Sequence, residues 1–530
     1  MVAASYLPVA IAAATMAVLG VWGLARDNAM GNDEVASRYA AMLSLGQLFH
    51  LLNHVDAVHG FYYLLLHCWI AVGSTATIVR IPSVIVMTAA AGLMVIVGRR
   101  LTGSAWAGLF AGLIMSLTPV ISFYAQTARS YAMVFFVVLA TTLALVRALE
   151  AEEEGWTGGP LARRWLLYGA LVTLGGYLNE LSLLVLAAHA VTVLLTRYGW
   201  RTVRHWFISG AVGAFLVLPV LVFSIKERAG LTGATRPDLH DIGILFHDYF
   251  GATNLVAVFM LAFAVFAVLP ASGLPAIRIG RPGPAAGAGP DAAWWKRGGI
   301  SLPSVAAPLL VLPSGLLVVE SAVGKALYAD RYILYCEAGA ALLAGAGVQR
   351  IGQWVGPWLG RRLARLGSGG DAAGWRSLVW LPGVIVCVCA LVLQLAPQHR
   401  ARTPQSRQYD YGNPAFYIGA HAQTGDGVLF FNTFYRKIRL GYPADFRKIN
   451  DFAMAVSPVQ AGSYNGVNKP FPEVRSLMLT YRRIWVVGQA PSAHVSAPAI
   501  RGEGELLMSR FTRIAERHFK GMVVTLWLRR

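Results

Sequence analysis

ARDNAMGNDEVASRYAAMLSLGQLFHLLNHVDAVHGFYYLLLHCW, from Ala25 to Trp69, is the stretch whose reading decides the fold. It follows an apolar run, Leu7 to Ala25, and brings two adjacent acids, Asp33 and Glu34, into a chain that nearly excludes carboxylates. Charged residues are 13% of the 530 and the formal net charge is +19, so paired acids beside an apolar segment call for a chemical explanation. With 56% hydrophobic residues the chain has more apolar surface than one soluble core can hide, and a polytopic α-helical membrane protein is expected.

Working outward, apolar runs recur at 7–25, 80–98, 104–122, 131–149, 165–179, 181–196, 206–224, 254–270, 303–320, 331–348 and 378–396. Each is near bilayer length, which predicts about eleven transmembrane helices. The first run lacks a basic region before it and a small-residue cleavage site after it, so it reads as an uncleaved helix. His59 to Val72 is short for a span and is read as interfacial or re-entrant. That choice puts Arg99-Arg100, Arg163-Arg164 and Arg197, Arg201 and Arg204 inside, as the positive-inside rule requires. The amino terminus is then cytoplasmic, and Asp33-Glu34 faces the outside.

Residues 1–396 are expected to form the membrane domain, with 26–79 as its first outer loop. Residues 271–302, rich in Gly, Pro and Ala, read as a cytoplasmic linker. Residues 397–530 change composition and predict a small extracytoplasmic α/β domain, with strands at 425–432, 482–490 and 521–528 and helices at 413–423 and 508–519. The basic excess there suits lipid head groups or a phosphate-bearing glycan, and placement outside the cell argues against nucleic acid as a partner. Cys68, Cys336, Cys387 and Cys389 lie in or beside apolar runs without a C-x-x-C pair, which supports neither a zinc site nor a disulfide framework.

Several residues on the outer side have chemical potential. Ser44 and Gln47 have capping-box spacing, so 45–53 should be a surface helix laid down on Leu45, Leu48, Phe49, Leu51 and Leu52. Such a scaffold can hold Asp33 at a depth where a partly desolvated carboxylate is a better base toward a hydroxyl. The plainer reading is that Asn32 or Asp33 caps the helix through 34–42. His54, Asp56 and His59 could hold a divalent cation or could simply form hydrogen bonds that orient a ligand.

Arg129, in FYAQTARSY, breaks the charge rule. It needs an anionic partner, either Asp33 and Glu34 or a lipid phosphate, unless with Tyr124 and Tyr131 it anchors to head groups. Arg331 in YADRY sits the same way beside Tyr332, with Lys325 nearby, and suits a phosphate or a snorkelling anchor. Glu180 in the Asn179-Glu180 corner is explained almost as well by a tight interhelical loop.

In order along the chain, Asp33-Glu34, VDAVHGFYYLLLHCW, RIPSVIVMTAAAGLMVIVGRRLTG, SLTPVISFYAQTARSYAMVF and ADRYILY resemble the GT-C membrane glycosyltransferases. The resemblance is to the bacterial relatives of protein O-mannosyltransferases and of the lipid A aminoarabinose transferase, and covers residues 1 to about 150 and 328–335. It implies a multi-pass enzyme of the cell membrane that moves a sugar, mannose before a pentose, from a polyprenyl-phosphate donor to a glycan, lipoglycan or protein acceptor at the extracytoplasmic face. The implied base is Asp33, with Glu34 beside it. Phosphate binding falls to Arg129 and Arg331, with Tyr131, Tyr332 and Lys325 around them. Asp56, His59, Tyr62, Gln126 and Glu180 are candidates for orienting acceptor or donor. No cofactor is obligatory, since phosphate already leaves as an anion, and a divalent cation is compatible with the reaction. The sequence departs from many relatives, which carry His-Pro-Pro, at Val58-His59-Gly60-Phe61. The competing class is a flippase or binding protein for a lipid-linked glycan, which would use the same arginines without making a bond.

Overall fold

The computed structural model describes residues 2–25, 29–228, 236–269, 298–324, 326–365, 379–489 and 498–530. Lys325 and most of the expected linker, 271–297, lie outside the described residues. Two compact units emerge. One comprises Met1–Trp22, Pro82–Gln126 and Ser130–Ala401; the other comprises Gly23–Ile81, Thr127–Arg129 and Arg402–Arg530. The sequence-based grouping put the first outer loop with the membrane part, whereas here it folds with the C-terminal residues.

The first unit is helical, and all eleven apolar runs fall on helix. Among the described residues, four helices are long and apolar enough to cross a membrane, or up to seven if each of three bent pairs is one span. In chain order the helices used below are α1 (Val2–Val21), α2 (Asn32–Met42), α3 (Leu45–Leu52), α4 (Gly60–Trp69), α5 (Ala76–Thr102), α6 (Ala105–Leu117), α7 (Pro119–Ala125) and α8 (Tyr131–Glu153). The 71° bend between α6 and α7 has a local cause. Pro119 drives Thr118 into the extended region, at φ −70° and ψ 119°, and starts a new helix at its own N1 position.

Close approach elsewhere depends on small residues. A Cβ on Gly345 would lie 2.4 Å from the Ala111 nitrogen of α6, and one on Gly347 would lie 1.9 Å from the Phe263 oxygen. The run AGAALLAGAG, 338–347, thus lets one helix sit directly against two others.

The second unit is built on a five-stranded sheet of order β2-β1-β5-β7-β6, where β1 is Asp426–Phe430, β2 Ile449–Asp451, β5 Arg483–Gly488, β6 Phe511–Phe519 and β7 Met522–Arg529. Two short strands, β3 (Met454–Val456) and β4 (Val467–Asn468), pair separately. β1 pairs parallel with β2 and β5, while β7 is antiparallel to both β5 and β6.

Alternate residues serve two cores. Val428, Phe430, Trp485 and Val487 face one cluster; Leu429, Phe431, Ile484 and Val486 face the other. A sheet buried on both sides needs unbroken apolar strands, which is why VLFF and IWVV stood out in the sequence. The first cluster also contains Met30, Val35 and Ala76, so the outer loop and the sheet share one core.

One expected helix is corrected. Residues 508–519 were read as helical, but Phe511–Phe519 is the edge strand β6, preceded by the helix Pro498–Arg510. Its charged, mostly exposed residues and the bulge between Arg513 and Ala515 are features of a protected sheet edge. The overlooked signal was Lys520-Gly521: a two-residue hairpin loop with Gly521 at φ +79°.

Candidate functional site

In the second unit, chemistry concentrates where α2 begins. The helix starts at Asn32 behind Gly31, and the Gly31 N–H donates to Glu34 at 3.1 Å. Glu34 therefore closes the first turn, the capping role expected of Asn32 or Asp33. Its carboxylate also receives Arg80 at 2.6 and 2.8 Å and the Ala128 N–H at 3.2 Å, with Arg407 at 3.7 Å. Burial pushes the Glu34 pKa up, but the charges of Arg80 and Arg407, with the hydrogen bonds from Arg80 and Gly31, outweigh it and bring it down to about 2. A carboxylate so fully neutralised is a poor proton acceptor.

Asp33, one step round the helix, is half-buried. It accepts from the Asn32 side-chain amide at 3.2 Å. The same Asn32 accepts at 3.0 Å from Lys437, a buried lysine whose ammonium lies 4.5 Å from the Phe434 ring and 5.4 Å from that of Tyr464. Burial lowers the Lys437 pKa, and the charges of Asp56 and Asp33 oppose that shift. Asp33 thus faces a partly desolvated cation.

Asp56 centres the second cluster. It adopts the left-handed conformation, φ 60° and ψ 27°, which Asp tolerates better than most residues, and opens the turn Ala57–His59. Tyr63 donates to it at 2.7 Å and Tyr464 at 2.9 Å, while Arg129 lies at 3.4 Å. Burial raises the Asp56 pKa, yet Arg129, His59 and the two hydroxyls together hold it well below the usual carboxylate range.

Arg129 also bonds Tyr63 and, at 3.3 Å, Ser37. It pairs with Asp56, a carboxylate outside the two partners the sequence offered, the Asp33-Glu34 pair or a lipid phosphate. His59 and Tyr62 are buried beside this cluster, each with its ring about 6 Å from Tyr63: 6.2 and 6.1 Å. The His54-Asp56-His59 set does not converge on a cation: His54 bonds the His50 carbonyl, and no group of three ligand-type side chains is placed to hold a metal among the described residues.

Within the first unit, Tyr131, Arg331 and Tyr332 come together. The Tyr131 and Tyr332 rings are 6.4 Å apart, and the Arg331 guanidinium lies 5.3 Å from the Tyr332 centroid. Gln126 does something else: its amide donates to the Leu19, Gly20 and Trp22 carbonyls at 3.2, 2.9 and 2.8 Å, closing the C-terminal end of α1. Glu180 is buried and accepts from Ser224 at 2.8 Å.

Sequence reasoning missed Arg80, Arg407, Tyr63, Tyr464 and Lys437. Arg80 had a usable signal, since like Arg129 it is a cation at the end of an apolar run. Tyr464 and Lys437 had none, because they sit 408 and 405 residues from their partners.

Residues 56–223 match the family model of dolichyl-phosphate-mannose-protein mannosyltransferases. No curated protein is significantly similar in sequence. Among solved structures, apo ArnT from Cupriavidus metallidurans aligns over 98% of this chain and 97% of its own, with a TM-score of 0.58 and 13% identity. ArnT from the same organism bound to undecaprenyl phosphate aligns over the same shares, with a TM-score of 0.55 and 13% identity. The alignment runs through both units described above, so the chain has the fold of ArnT, and within it residues 56–223 are similar to the mannosyltransferase family.

Proposed function

We propose that this chain transfers a sugar, mannose favoured, from a polyprenyl-phosphate donor to an acceptor hydroxyl at the outer face of the cytoplasmic membrane. The observation that carries this reading is a fold shared over nearly the whole chain with ArnT, one structure of which holds undecaprenyl phosphate. The matched family's description favours mannose. In the proposed topology the amino terminus is cytoplasmic and residues 397–530 are outside, on the positive-inside argument.

Asp33 takes the acceptor-side role. It receives the hydroxyl proton as the oxygen attacks the anomeric carbon, and the bond from that carbon to the phosphate oxygen breaks with inversion. Glu34 and Asp56 are positioning residues: their carboxylates are occupied by arginines, hydroxyls and backbone N–H groups. Arg129, held on Asp56, Tyr63 and Ser37, joins them in that role. Within the first unit, Arg331 with Tyr131 and Tyr332 is suited to a lipid-borne phosphate, since a guanidinium on an aromatic face takes such an anion.

The test is Asp33→Asn in nanodiscs supplied with a polyprenyl-phosphate sugar. Transfer should fall by roughly a hundredfold or more. Unchanged turnover would sink the base assignment.

A further inference from the structure

The second unit has a groove that α2 does not line. It measures about 850 Å³ and runs between the helix Gly412–His421 and the β6–β7 hairpin. Its shelf is aromatic: the Tyr417 ring lies 4.5 Å from His421 and 6.0 Å from Phe519. The Arg517 guanidinium lies 6.0 Å from the Tyr417 centroid, and Lys520 lines the same wall.

These cations are not matched by local acids. Asp410, the one carboxylate in the lining, accepts from the Gly412 and Asn413 N–H groups at 3.0 and 3.2 Å and from the Asn413 side-chain amide at 2.6 Å. Nearby Glu516 is engaged by Arg513 and, at 2.8 Å, by His518. Among the described residues no carboxylate pairs with Arg517 or Lys520.

An aromatic shelf accepts the C–H face of a pyranose, while a planar guanidinium and an ammonium take carboxylate or phosphate oxygens. A concave site suits a chain of sugars better than a flat lipid surface. We infer that this groove binds an anionic glycan segment, with a sugar ring on Tyr417 and its acidic substituents on Arg517 and Lys520. That this segment is the acceptor rests on the transferase reading; the binding itself does not.

The experiment uses the full chain in nanodiscs of neutral phospholipid, with tetragalacturonate as probe and maltotetraose as the uncharged control. Tetragalacturonate should bind, more weakly as salt is raised, and Tyr417→Ala or the exposed double change Arg517→Gln with Lys520→Gln should each weaken it by roughly tenfold. Asp33→Asn should leave this binding intact while transfer is lost. Three results overturn the inference: no binding of tetragalacturonate, equal binding of maltotetraose, or binding untouched by the double change in a protein with unaltered thermal unfolding. If instead binding behaves as expected but Asp33→Asn still transfers sugar, the groove stands and the catalytic assignment falls.

Discussion

Glu34 and Asp56 are two carboxylates of the same unit, and both grip the three-residue segment Thr127–Arg129, but they are neutralised in different ways. Glu34 is met by two arginines and two backbone N–H groups, one of them from Ala128. Asp56 is met by one arginine, Arg129 itself, and two tyrosine hydroxyls, and its side chain keeps 23% of its surface exposed. The first arrangement balances charge with charge in a dry setting. The second combines one charge with neutral donors, so its members can be removed one at a time. Asp33, adjacent to Glu34, accepts from the Asn32 amide, whose oxygen in turn accepts from Lys437.

The largest effect expected is functional: Asp33→Asn should reduce transfer by roughly 10²- to 10⁴-fold while leaving the thermal unfolding temperature close to that of the parent. A large loss of stability in that variant would erase the distinction from Glu34. Next, Glu34→Gln removes the carboxylate that pairs with buried Arg80 and half-buried Arg407 and should destabilise the protein by about 3 to 5 kcal/mol in chemical unfolding. A neutral result would show that the clamp is unimportant.

Acid should reveal the same group. The Glu34 pKa is brought down to about 2 in the folded protein from its ordinary 4.5, so its contribution is fully present above pH 4.5 and is lost as the pH falls toward 2. Stability measured across that window should drop more steeply in the parent than in Glu34→Gln; parallel curves would contradict the assignment. The smallest effect belongs to the second cluster. Tyr464→Phe removes one hydroxyl from Asp56 but leaves Tyr63 and Arg129, and a loss of about 1.5 to 3 kcal/mol should appear in the same unfolding measurement. A loss as large as that of Glu34→Gln would mean that the two clusters do not differ in kind.

Much of the fold could be read in advance wherever the governing interaction is local. The Ser44–Gln47 capping box forms as its spacing predicted, at 3.1 and 3.4 Å, and opens α3. The apolar runs became helices because hydropathy is a property of the run itself. β1, β5 and β7 were visible because a strand buried on both faces cannot afford polar residues. β6 was not, because an edge strand contacts the sheet along one side and its exposed face reads like any charged helix. At the site, Asp33-Glu34 was conspicuous as a pair, but nothing in adjacent letters says which acid meets Arg80 and Arg407.

The sequence by itself determined a mostly helical chain with several apolar candidate spans, a C-terminal α/β region and a pair of acids after its first apolar segment, since each follows from composition or short-range pattern. Tertiary structure alone decided that the outer loop and the sheet share a core, that Arg129 answers to Asp56, and that Glu34 belongs to Arg80 and Arg407. Charges pair by distance in space: Arg80 stands 46 positions from Glu34 along the chain, and Arg129 stands 73 from Asp56.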